Sequence, residues 1–229
     1  MPLNYQHYIF DLDNTLYPAS NSFFERQLEN MSRFIVKKLK ISKSEADFLR
    51  EDYYHTYGTT MHGLMKNHAI DPAEFLAYID ELPLDDLRVD TVLIDRLEAI
   101  KCQGRHISVF TNGSRFHAYR VMDRLELNRV FDDVVTLECT GLIPKPDIRA
   151  YHYCCSHLHI DPENAVFFED SSHNLITAKT LGMATVLIKT DETSHARFIA
   201  HPEIDYFTKD ILSFFDADFL DFRGGRLNE

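Results

Sequence analysis

The chain has 229 residues, 45% of them hydrophobic, enough for one large domain or for a core with a smaller attached domain, each with a buried apolar interior. Its formal charge of −12, from 36 acidic and 24 basic side chains with no basic cluster denser than Lys37-Lys38-Leu39-Lys40, argues against nucleic acid as a partner. No run approaches the ~18 apolar residues of a membrane span, so no membrane association is expected.

Met1 to Phe10 lacks the basic-then-apolar pattern of a secretory leader. Cys102, Cys139, Cys154 and Cys155 have neither metal-ligand spacing nor the density of a disulfide scaffold. The expectation is a cytoplasmic protein, monomer or homodimer, with reduced thiols. An acidic surface does not steer an anion inward, so an anionic ligand requires positive groups at the site itself.

Tyr8 to Phe10 reads as a first buried strand. From Tyr17 to Asp85 apolar residues recur at helical spacing, as in Phe23, Leu28, Phe34, Val36 and Leu39, and no strand-like run interrupts them. Residues 17–85 are therefore expected to form a helical insert, with 1–16 and 86–229 forming the core. Ser42 with Glu45 predicts a capping box, and Asp71-Pro72 with Glu74 predicts another helix start. Pro83 suits a connector back to the core.

Further strands are predicted at His106 to Phe110, Asp133 to Thr136, Ala165 to Phe168 and Ala184 to Ile188. Helical spacing lies between them, at Ala118 to Leu125, Ile148 to His157 and Leu175 to Leu181. Strand and helix in alternation imply an α/β fold, a Rossmann-like parallel sheet flanked by helices and joined by right-handed crossovers. The tail from Gly224 onward is expected to fray.

In such sheets ligands collect beyond the carboxyl ends of the strands. After the first strand stand Asp11 and Asp13, whose side chains share a side in extended geometry. After the second come Thr111, Asn112, Gly113 and Ser114, a hydroxyl, an amide and flexible N–H groups that can cradle a phosphate. After the third, Lys145 sits between Pro144 and Pro146. After the fourth come Glu169 and Asp170, hard oxygen ligands suited to magnesium. Each piece alone is ordinary turn chemistry; four of them at consecutive strand ends would rarely coincide by chance.

This order of motifs resembles the haloacid dehalogenase-like superfamily. The resemblance implies a core of that fold with a helical cap inserted after the first strand, and an enzyme that hydrolyses phosphate monoesters. It implies Asp11 as nucleophile, forming an aspartyl-phosphate, and Asp13 as general acid and then base. Mg2+ would be held by the Asp11 carboxylate, the Asp13 backbone carbonyl and the Asp170 carboxylate, with Glu169 in support. Thr111 and the Asn112 N–H would hold phosphoryl oxygens, and Lys145 would bridge nucleophile and phosphate. Dehalogenases of the superfamily lack the second aspartate, which this sequence keeps.

Within the superfamily, Asp11-Leu12-Asp13-Asn14-Thr15-Leu16-Tyr17-Pro18, the segment Tyr53 to Gly58 with Met61 to Leu64, and Asp170-Ser171-Ser172 with Asn174 resemble the pyrimidine 5′-nucleotidase branch. The implied partner is a small phosphorylated metabolite, a nucleoside monophosphate such as UMP or CMP. Glu169 departs from the paired aspartates of that branch and matches related sugar-phosphate enzymes, so sugar phosphates or phosphoglycolate stay open as substrates. A non-catalytic phosphate-ligand-binding regulatory protein is the reading from another class. Phe24, Tyr53, Tyr54 and Tyr57 leave two uses open, stacking on a base or packing in the insert. Glu138 and Asp147 read as solvated loop charges, and His173 as a solvent-facing loop histidine.

Overall fold

A computed structural model describes residues 4–18, 22–189, 202–217 and 220–221. The tail from Gly224 onward lies outside the described residues. The chain divides into two compact units, Met1–Ser20 with Arg88–Glu229, and Asn21–Leu87.

The larger unit carries one sheet. Its strands are β1 (His7–Phe10), β2 (His106–Phe110), β3 (Asp133–Val135), β4 (Ala165–Glu169), β5 (Ala184–Ile188), β6 (Tyr206–Thr208) and β7 (Leu220–Asp221). Their spatial order is β3-β2-β1-β4-β5-β6-β7, parallel throughout except for the last pair. The sequence pattern anticipates β1 to β5. It passes over β6 and β7, which are three and two residues long, too short to establish a run.

β1 pairs with both β2 and β4, and the chain winds outward from β1 in both directions. Such a reversal opens a crevice beyond the carboxyl ends of the central strands. Side chains alternate across the sheet. On one face Ile9, Phe110, Val135 and Phe167 join Ala150, Tyr151 and Cys154 of α7 (Ile148–His157) and Leu175 and Ala178 of α8 (Ser172–Thr180). On the other, Phe10 stacks on Phe168 with ring centroids 4.6 Å apart, and Phe168 meets Phe214 of α9 (Ile211–Phe215) edge-on at 5.0 Å. That packing makes the central strands near-continuous apolar runs, as a sheet covered on both faces requires.

Two more helices belong to this unit. In α5 (Thr91–Cys102), Asp90 caps the start through Val92 and Leu93 N–H groups, and Leu93, Ile94, Leu97 and Ile100 are buried. In α6 (Arg115–Arg124), Ser114 caps through the His117 N–H. Among the described residues no helix is long and apolar enough to cross a membrane.

The smaller unit is helical: α1 (Ser22–Leu39), α2 (Lys43–Tyr57), α3 (Thr60–His68) and α4 (Pro72–Ile79). The capping box forms as its residues predict, Ser42 Oγ accepting from the Glu45 N–H and the Glu45 carboxylate from the Ser42 N–H. Such a cap is worth about 1 kcal/mol. Pro72 begins α4 behind the Asp71 cap. Tyr53 is buried and its hydroxyl lies 2.7 Å from His68 Nε2, so it packs within the unit, whereas Tyr54 is exposed. Tyr17, at the head of the insert in the sequence pattern, falls in the larger unit.

Candidate active site

Each strand end delivers its residues to the same place. The Asp11 N–H donates to the Phe168 carbonyl, extending the β1–β4 pairing by one step and setting Asp11 beside Glu169 and Asp170. The turn that follows needs a left-handed residue, supplied by Asn14 at φ 61°, a conformation that asparagine tolerates better than most side chains. Asn14 Nδ2 reaches Asp170 Oδ2 at 3.4 Å, while Asn14 Oδ1 is buried without a hydrogen-bond partner.

Lys145 is fully buried and its three ammonium protons all have acceptors: Asp11 Oδ1 at 2.7 Å, Glu169 Oε2 at 2.8 Å and the Phe110 carbonyl at 2.8 Å. Burial alone would lower its proton affinity; the charges of Asp11 and Glu169, with their hydrogen bonds, outweigh this and hold it above the usual lysine range. The expected bridge to phosphate therefore requires one of these three bonds to be given up. In the structure Lys145 fixes Asp11 by one oxygen and leaves Oδ2 clear of it.

Asn112 does more than its sequence position implies. Its amide nitrogen donates to the Lys145 carbonyl at 3.0 Å and its amide oxygen accepts from the Lys145 N–H at 2.8 Å. This pair of hydrogen bonds locks the lysine loop to the end of β2, which explains how a side chain from a loop is held in a dry site. Thr111 is buried, and its hydroxyl oxygen accepts from the Gly113 N–H at 2.9 Å, which leaves its proton to donate elsewhere.

Asp11, Glu169 and Asp170 bring carboxylate oxygens within 4.8 Å of one another. Burial first, then the Glu169 charge, push Asp11 well above the usual carboxylate range. The same causes raise Asp170 to about 8. Three carboxylates, two of them buried, face the buried Lys145 ammonium, with Lys189 a further positive influence on Asp170, so negative charge is in excess when all are ionised. Glu169 is already satisfied, by Lys145 and by the Ser171 N–H at 3.1 Å. Hard carboxylate oxygens gathered within 4.8 Å and an excess of negative charge fit a divalent cation of the magnesium kind.

Asp13 is set apart from this cluster. Its Oδ1 accepts from the Tyr17 hydroxyl at 2.6 Å and lies 2.7 Å from His117 Nε2. Burial would raise the Asp13 carboxyl; the His117 charge and the hydrogen bonds from His117 and Tyr17 overcome it and place it below its ordinary value. Burial and the Asp13 charge in turn hold the Tyr17 phenol well above its usual value, and so protonated. His117 and Tyr17 escaped sequence reasoning: a histidine 104 positions from its partner has no spacing signature.

Glu138 is not simply a solvated charge. Its carboxylate accepts from the Arg115 N–H at the start of α6 and from the Thr136 hydroxyl at 2.9 Å. Asp147 caps α7 through the Arg149 N–H and pairs with Arg149. His173 is exposed.

Acidic side chains from two strand ends thus meet a buried lysine where the strand order reverses, the place where open parallel α/β sheets hold their ligands. The chain belongs to the haloacid dehalogenase-like hydrolase family, whose model matches residues 8–188. It is 31% identical over 193 residues to phosphate metabolism protein 8 of Saccharomyces cerevisiae, covering 79% of this chain and 60% of that protein's length. It is 28% identical over 191 residues to glyceraldehyde 3-phosphate phosphatase of Methanocaldococcus jannaschii, covering 79% of this chain and 83% of the relative. The crystal structure of a HAD phosphatase from Thermococcus onnurineus shares the fold, with a TM-score of 0.64 at 21% identity, covering 93% of this chain and 97% of that one.

Proposed function

We propose that the chain is a magnesium-dependent phosphomonoesterase that works through an aspartyl-phosphate at Asp11 and acts on pyrimidine nucleoside 5′-monophosphates. The observation that carries the chemistry is the grip of Lys145 on Asp11 Oδ1, which orients the carboxylate and leaves its second oxygen to attack phosphorus. Thr111 and the Asn112 N–H are assigned to the phosphoryl oxygens, where donors stabilise charge as the transition state spreads it. Asp13 protonates the leaving oxygen and later takes the proton of the attacking water. Asp11 and Asp170 with the Asp13 carbonyl would hold Mg2+, which offsets the charge that the phosphate brings. The helical unit 21–87, inserted directly after the first strand, is assigned the choice of leaving group.

The pyrimidine assignment rests on the likeness of the opening motif, the Tyr53 to Leu64 segment and the Asp170 loop to that branch. A second reading, phosphatase of a sugar phosphate or phosphoglycolate, is favoured by Glu169 at the fourth strand end and by the name of the archaeal relative. Phosphate release from UMP, CMP, AMP, a triose phosphate and phosphoglycolate, with Mg2+ or with chelator, separates them. Preference for UMP and CMP with loss in chelator is expected. Preference for a sugar phosphate or phosphoglycolate removes the branch and keeps the mechanism. Binding without turnover of any ester would make the protein a phosphate-ligand sensor instead.

A further inference from the structure

The two donors on Asp13 share a single oxygen. Tyr17 Oη and His117 Nε2 both lie on Oδ1, at 2.6 and 2.7 Å. A carboxylate only accepts, so each partner must present a proton, the phenol its O–H and the imidazole its Nε2–H. Both partners are buried, His117 with 3% of its side chain exposed, so neither is free to swing away.

The other oxygen faces elsewhere. A methyl group built on Gly113 would lie 3.6 Å from Asp13 Oδ2, 3.2 Å from Thr111 Oγ1 and 2.9 Å from His117 Cδ2. The space in front of Gly113 is thus bounded by Asp13 Oδ2 and the Thr111 hydroxyl, at the loop assigned to phosphate. Only glycine leaves that space open.

We infer that Tyr17 and His117 are positioning residues that clamp Asp13 by Oδ1 and thereby dedicate Oδ2 to proton transfer with the leaving group and with water. The inference rests on the phosphatase reading above. Before the first step Asp13 takes up a proton on Oδ2 from solvent or from the monoanionic ester, Oδ1 still accepting both donors; an Asp11 oxygen then bonds to phosphorus, the ester P–O bond breaks, and the departing oxygen takes that proton from Oδ2. In the second, water bonds to phosphorus and gives one proton back to Oδ2, the P–O bond to Asp11 breaks, and phosphate leaves. Both transfers need Oδ2 in one fixed direction, which a carboxylate turning about its Cβ–Cγ bond would not keep.

The clamp has a signature that a merely structural role lacks. An alkyl or nucleoside leaving group needs a proton as it departs; p-nitrophenolate does not. First-turnover leaving-group release is measured for UMP, glycerol phosphate and p-nitrophenyl phosphate with wild type, Tyr17→Phe, His117→Ala and His117→Gln, the last of which retains a donor at the Nε2 position. General acid catalysis contributes ~100-fold or more, so Tyr17→Phe and His117→Ala are expected to lose at least ~10-fold more on the alkyl ester (UMP if it is turned over, otherwise glycerol phosphate) than on p-nitrophenyl phosphate, in kcat and not in KM. His117→Gln recovers part of that difference. If His117→Ala fails to fold, Tyr17→Phe, which keeps its ring, carries the test alone. Equal losses on the alkyl and aryl esters, or no loss, overturn the clamp and leave the phosphatase reading intact. Wild type that turns over none of the three esters overturns the reading itself, and the clamp with it.

Discussion

Replacing Lys145 by methionine keeps the volume of the side chain and removes its charge, which isolates what the ammonium does for the folded state. Lys145 and Glu169 side chains are each 1% exposed and Asp11 is 9% exposed, so solvent does not screen the group. The substitution strips three charge-assisted hydrogen bonds, to Asp11, Glu169 and the Phe110 carbonyl, each worth ~1.5–3 kcal/mol, and strands two carboxylates. Breaking a buried ion pair from one side costs about 3–5 kcal/mol, which for a chain of this size lowers Tm by ~6–20 °C. Asp11 already lies well above the usual carboxylate range, with Lys145 one of the influences holding it down. Without the lysine it rises further, so the penalty is greatest above neutral pH and shrinks as acid protonates the site. Urea denaturation in chelator at pH 8 and pH 5, followed by circular dichroism, measures both terms. Lys145→Met with Asp11→Asn should regain ~1–2 kcal/mol at pH 8. A single substitution within 1 kcal/mol of wild type at pH 8, or a penalty that grows in acid, refutes the reasoning.

Three further outcomes follow from particular contacts. Gly63→Ala drives a methyl group into the Tyr53 side chain; overpacking of this kind costs about 1–3 kcal/mol, read as loss of stability in denaturant. Gly113→Ala crowds His117 and Thr111 but no backbone; phosphate release should fall by ~10–100-fold while Tm moves by less than ~4 °C, and unchanged turnover would contradict the geometry. Burial and the Glu169 charge raise Asp170 to about 8 and hold Asp11 well above the usual carboxylate range, so Asp170 is largely protonated in the metal-free protein near neutrality. Their raised values mean that stability present at low pH is lost as pH climbs from the ordinary carboxylate range through about 8. A cation requires the ionised forms, so calorimetric Mg2+ affinity and the Mg2+-induced gain in Tm should both be larger at pH 8.5 than at pH 6.

The sheet was legible where strands are buried on both faces, because Tyr8 to Phe10, Val166 to Phe168 and Val186 to Ile188 are unbroken apolar runs. α5 carries a readable signal in Leu93, Leu97 and Ile100 behind Asp90, although no helix is predicted over that stretch. The site was legible as a set of strand-end residues, since topology alone brings the ends of parallel strands together. What topology does not encode is how side chains divide their oxygens. The paired hydrogen bonds from Asn112 to the Lys145 backbone, the saturation of Lys145 and the two donors on Asp13 Oδ1 all depend on rotamers and loop geometry. Glu138 shows the same limit from the other side: it is exposed, yet its carboxylate is tied to the first N–H of α6.

The central claim is that Asp11 carries the phosphoryl group. Protein mixed with Mg2+ and a turned-over ester, quenched in acid and digested, should yield one peptide bearing a phosphoryl group, the peptide that contains Asp11. Asp11→Asn should yield none and release no phosphate while melting as a folded protein. Phosphate release by Asp11→Asn at the wild-type rate, or a phosphoryl group trapped on any other residue, would contradict the account.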